Sequence, residues 1–102
     1  MTRKIYSIED IKRILAEIFV DTEVNKAILF GSYAKNSPNE KSDVDILIDS
    51  DGKLKGLKFF ALIDLIKETL NKDVDVIEKS EINEGSRIDE EIKNTGVVIY
   101  ER

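Results

Sequence analysis

Gly31-Ser32 and Asp43-Val44-Asp45 are ten residues apart, and each is joined to an apolar run. Ala27-Ile28-Leu29-Phe30 ends at the glycine, and Ile46-Leu47-Ile48 follows the second aspartate. Runs this short and this apolar read as buried strands. In a strand, residues i and i+2 share a face and lie roughly 6.6 Å apart along the chain. Asp43 and Asp45 therefore point the same way at the mouth of a core strand. Like charges so placed raise each other's cost of ionising, and a divalent cation removes that conflict. An oxygen-only ligand set favours magnesium or a similar hard ion.

The chain offers few other routes to chemistry. Its 102 residues contain no cysteine and no histidine. That excludes disulfides, thiolate sites, imidazole ligands and His-based acid–base catalysis. The formal net charge of −5 argues against a strongly basic nucleic-acid face. Apolar residues make up 41% and charged residues 36%, which suits one small domain over residues 1–102 with a thin core. No apolar run approaches a membrane span, and the N-terminal stretch lacks the apolar core of a signal peptide. The expected location is cytoplasmic.

In chain order, Ser7 and Asp10 form a capping-box pattern. Ile8, Ile11, Ile14, Leu15, Ile18 and Phe19 then follow helical spacing, predicting a helix over about 8–19. Val24–Phe30 is the first predicted strand. Ser32–Lys35 can make one helical turn, with Asn36 as a left-handed stop, and Ser37-Pro38-Asn39 is a loop. Asp43–Asp49 is the second strand, closed by the turn pair Asp51-Gly52. A helix follows over about 55–70, ended by Asn71-Lys72. Asp73–Ile77 is a third strand, with Asp73 and Asp75 on one face. A weaker helix over about 82–94 and a strand Val97–Tyr100 complete the chain. This pattern gives an α/β (α+β) fold with one small mixed sheet flanked by helices.

The two motifs also constrain topology. Gly31-Ser32 ends one strand and Asp43 and Asp45 start the next, so a shared site requires those strands to be antiparallel. A full helix between the second and third strands suits a parallel crossover. Asp75 then falls beside Asp43 and Asp45, since neighbouring strands lie roughly 4.8 Å apart.

The spacing Gly31-Ser32, ten residues, Asp43-Val44-Asp45 resembles the signature of the DNA polymerase β-like nucleotidyltransferase superfamily. The run LFGSYAKNSPNEKSDVDILID is similar to that of its small, free-standing branch, the minimal nucleotidyltransferases or MNT proteins. The resemblance implies that Gly31 and Ser32 bind the nucleotide, and that Asp43, Asp45 and Asp75 are catalytic and hold two Mg2+ ions. The implied reaction is attack on the α-phosphorus of a nucleoside triphosphate, ATP by expectation, releasing pyrophosphate. The implied partner is a helical HEPN-type ribonuclease toxin that the MNT protein neutralises, with AMP transferred to a hydroxyl. Asn36 departs from the family pattern, where glycine is usual; asparagine tolerates positive φ better than most residues.

Two other readings stay open beside this one: a non-catalytic antitoxin acting by contact, and transfer to a small-molecule acceptor. Lys35 reads either as a phosphate contact or as an exposed lysine of a one-turn helix. Tyr33 reads as packing. Asp49, Asp51, Glu90 and Glu91 read as solvated charges, and Phe59, Phe60 and Leu62 as core, with an apolar remainder around Phe60 or Leu65 as an alternative surface for a partner.

Overall fold

A computed structural model describes residues 5–35, 37–38 and 42–102. Helix α1, Ile8–Phe19, starts at the predicted capping box: Ser7 Oγ accepts from the Asp10 amide at 3.0 Å, and the Asp10 carboxylate accepts from the Ser7 amide. Its periodic face buries Ile11, Leu15 and Phe19 completely, each contributing about 1.5–3 kcal/mol of apolar burial. Strand β1, Lys26–Phe30, leads directly into the four-residue helix α2, Gly31–Ala34. Strand β2 spans Val44–Asp49, helix α3 Leu57–Leu70 and strand β3 Val74–Glu78. Helix α4, Arg87–Thr95, and strand β4, Val97–Glu101, follow. The expected stop at Asn36 and the loop position Asn39 lie outside the described residues.

The four strands form one sheet in the order β3-β2-β1-β4. β2 is antiparallel to β1 and parallel to β3, the two pairings that the motif argument requires. One sheet face carries Ala27, Leu29, Val44, Ile46, Ile48, Val76 and Ile99 and packs on α1 and α3. The opposite face carries Phe30 and Leu47, with Ile28 and Ile77 beside them, and is covered by Ile92 of α4. By strand parity Asp45 and Asp75 belong to this second face, since they alternate with Ile46 and Val76.

Three sequence expectations are corrected. The last helix begins at Arg87 rather than near Ile82, because Gly85 takes a positive φ of 80° and Ser86 caps the helix through the Asp89 amide. Ile82 instead lies in extended backbone after a short 3-10 turn and packs beside Leu47 and Ile92. Phe60 is 63% exposed on the outer side of α3, whereas Leu62 is buried. The third strand begins at Val74 rather than Asp73, whose carboxylate lies 4.0 Å from Lys67 Nζ on α3.

The ends of β2 and β3 are locked by a polar contact that sequence periodicity does not reveal. Ser50 Oγ donates to Glu78 Oε2 at 2.6 Å and accepts from the Leu54 amide at 3.0 Å, and both side chains are buried. The turn beyond it is made by Asp51 and Gly52, both with positive φ.

Candidate active site

The site lies at the sheet end where β1 stops and β2 and β3 begin. Phe30 pairs with Asp45 across the antiparallel ladder, and Asp45 pairs with Asp75 across the parallel one. Three neighbouring strands therefore bring Gly31, Asp45 and Asp75 to one level of one face. Asp43 stands two residues before Asp45 and is exposed, as is Asp75, while Asp45 is half-buried.

Gly31 has φ +75°, and a Cβ built there would overlap Asp45 Oδ2. Only glycine both takes this backbone conformation readily and leaves room for the carboxylate. Ser32 follows within α2, half-buried, and its carbonyl accepts from the Ser37 amide at 3.0 Å. Tyr33 packs inward and is 1% exposed, with no hydrogen-bond partner for its hydroxyl among the described residues. The Lys72 ammonium lies 5.8 Å from its ring centre.

The electrostatics of this corner are those of crowded acids. Partial burial raises the Asp45 carboxyl pKa from 3.8 to about 6, helped by the charges of Asp75, Asp43 and Glu91. Glu91 is the residue that sequence reasoning missed. In sequence it reads as a solvated charge, but it precedes Ile92, which packs on Phe30 and Leu47. That packing sets Glu91 beside the strand carboxylates, and its Oε1 lies 3.2 Å from Lys35 Nζ. No sequence signal points to it, because its place depends on how α4 lies on the sheet.

Oxygen donors on adjacent strands, crowded enough to raise one pKa, fit a hard divalent cation in chemical type. Among the described residues no group of three or more acidic side chains is arranged as a ready-made cage for one.

This fold and site define a nucleotidyltransferase. Residues 9–102 match the family described as polymerase beta, nucleotidyltransferase, and the chain belongs to it. It is 36% identical over 74 residues to the protein adenylyltransferase MntA of Thermococcus cleftensis, covering 72% of each chain. It is 37% identical over 84 residues to a Methanocaldococcus jannaschii protein provisionally assigned as a protein adenylyltransferase, covering 76% of this chain and 83% of the relative. Its fold is similar to a solved Shewanella oneidensis complex of a tri-AMPylated HEPN toxin with MNT antitoxin. There the TM-score is 0.71 at 16% identity, over 93% of this chain and 73% of the matched one.

Proposed function

We propose that this protein transfers AMP from ATP to a hydroxyl of a HEPN-type helical toxin, and so acts as its antitoxin. The observation that carries this reading is the register of Asp45 against Asp75, with Gly31 closing on Asp45 from the third strand. Two relatives over 35% identical bear protein adenylyltransferase names, and the similar fold occurs in the Shewanella complex of an AMPylated toxin with its antitoxin. On the same reading the protein acts in the cytoplasm, where ATP is available.

Gly31 and Ser32 receive the triphosphate, the glycine by close backbone approach and the serine by its hydroxyl and amide. Helix α2 has only four residues, so aligned peptide dipoles add little, and Lys35 supplies the nearby positive charge. Asp43, Asp45 and Asp75 would hold two magnesium ions. Bound there, these would neutralise charge on the phosphates and on the attacking and leaving oxygens. The toxin's hydroxyl oxygen bonds to the α-phosphorus as the bond from that phosphorus to the bridging oxygen of the β-phosphate breaks. Pyrophosphate leaves, and the hydroxyl proton passes to Asp75 and then to solvent. The exposed carboxylates leave the acceptor side of the site open. A protein partner closes such a shelf with its own surface and positions its hydroxyl, whereas a small molecule needs an enclosing pocket.

The test is to incubate this protein with its toxin partner, ATP and magnesium, and to measure the partner's intact mass. An increase by whole AMP units that disappears with Asp43→Asn is the expected result. A partner silenced by complex formation without any added mass would establish the contact-only antitoxin instead.

A further inference from the structure

Lys35 follows α2, three residues after Ser32, and its ammonium pairs with Glu91, whose charge acts on Asp45 of the candidate site. In the structure that ammonium is engaged: Nζ lies 3.2 Å from Glu91 Oε1. The two side chains come from different elements, 56 residues apart in sequence. Glu91 is held in place by its neighbour. Ile92 is buried against Phe30 and Leu47, and Phe30 is the residue before Gly31. The other acids of α4 are disposed differently. Asp89 accepts from the Gly85 amide and pairs with Lys93 at 3.0 Å, and Glu90 is exposed. Glu91 is thus the acid that α4 contributes to this corner, joining Asp43, Asp45 and Asp75.

We infer that Glu91 sets the nucleotide affinity of the site by competing with the triphosphate for Lys35. An ATP triphosphate is a polyanion entering a corner already rich in carboxylates. A lysine paired with a carboxylate offers it less than an unengaged one, because the pair must open before the ammonium turns to phosphate. The pair is half exposed, with side-chain exposures of 48% and 34%. Such pairs are weak enough to exchange and strong enough to shift a binding constant severalfold. Glu91 is thereby a positioning residue that tunes affinity without touching the reacting atoms. The inference rests on the nucleotide-binding reading above.

The experiment is calorimetric titration of the full chain with ATP and magnesium, for the parent, Glu91→Gln, Lys35→Gln and the double variant. Glu91→Gln keeps the shape and removes the charge. It should tighten ATP binding roughly two- to fivefold, and lower the KM for ATP with kcat unchanged in the partner-modification assay. Lys35→Gln should weaken binding, and in its background Glu91→Gln should give no gain, since coupled residues deviate from additivity. The melting temperature should barely move, which separates this role from a structural one. Unchanged or weaker binding by Glu91→Gln overturns the inference. An equal gain with and without Lys35 also overturns it, by reducing Glu91 to general charge repulsion. If the parent chain binds no ATP, the nucleotide reading falls and the competition falls with it. If the parent binds and only the Glu91 effect is missing, the nucleotide reading stands alone.

Discussion

Gly31 and Asp45 fit together only because residue 31 has no side chain: a Cβ there would overlap Asp45 Oδ2, and the backbone at Gly31 has φ +75°. The close approach fixes the start of α2 against the carboxylate at the centre of the acidic group. Gly31→Ala should therefore cost stability and misplace Asp45 together. We expect a loss of about 1–3 kcal/mol, combining a strained φ with displaced packing. Nucleotidyl transfer should fall by more than the loss of folded protein explains. Thermal melting and initial rates on the same preparation check both.

Asp45 also makes stability depend on pH in the metal-free protein. Its folded pKa of about 6 lies above the ordinary 3.8, so between those values the folded state holds more of this proton than the unfolded chain. Stability from this group is complete below pH 3.8 and is lost as pH rises through about 6. Asp10 and Asp89 act in the opposite sense. Backbone hydrogen bonds at Ser7 and Gly85 lower their pKa values, so their contribution is lost as pH falls. Comparing Asp45→Asn with the parent cancels those two. In EDTA the variant should be the more stable at pH 7.5, by on the order of 1–2 kcal/mol after solvent screening. The two should converge near pH 4. Denaturant melts at both pH values measure this.

Ser50→Ala should be disproportionately costly for a serine truncation. It removes the 2.6 Å donor to the buried Glu78 carboxylate and the acceptor for the Leu54 amide. Leaving buried polar groups unpaired costs about 1–3 kcal/mol each. The pair is at the far end of β2 and β3 from Asp45 and Asp75, so chemical denaturation should show the loss while the rate per folded molecule is kept.

Tyr33→Phe should go the other way. The Tyr33 hydroxyl is buried with no hydrogen-bond partner among the described residues, so its removal deletes a desolvated polar group and keeps the ring. We expect a change between neutral and about 1 kcal/mol of stabilisation in a denaturant melt.

What can be read from the sequence is whatever depends on alternation and local chemistry. Strand parity and the helix between β2 and β3 place Asp45 level with Asp75, and Ser7 with Asp10 announces α1. What cannot be read depends on how elements lie on one another. Glu91 joins the site only because Ile92 packs on Phe30 and Leu47. Ser50 and Glu78 meet only because two strand ends are level. Phe60 follows the apolar Phe59 in sequence, but a helix turns about 100° per residue, which carries its ring outward. Ile82 continues the apolar spacing of α4 backwards, but the positive φ at Gly85 and the Ser86 cap stop the helix short of it.

The donor set itself is tested by linkage. A ligand that binds only the folded state stabilises it by about 2.7 kcal/mol at one hundred times its dissociation constant. For a domain of this size that corresponds to a rise of roughly 10–20 °C in melting temperature. ATP with magnesium should produce such a rise in the parent at saturating concentration. Asp43→Asn combined with Asp45→Asn removes two of the proposed donors and relieves the crowding that raises the Asp45 pKa. The double variant should therefore melt no lower than the parent in EDTA, yet lose most of the shift given by ATP and magnesium. A full shift in the double variant would place the cation elsewhere. A lower melting temperature in EDTA would mean that the two carboxylates support the fold rather than burden it.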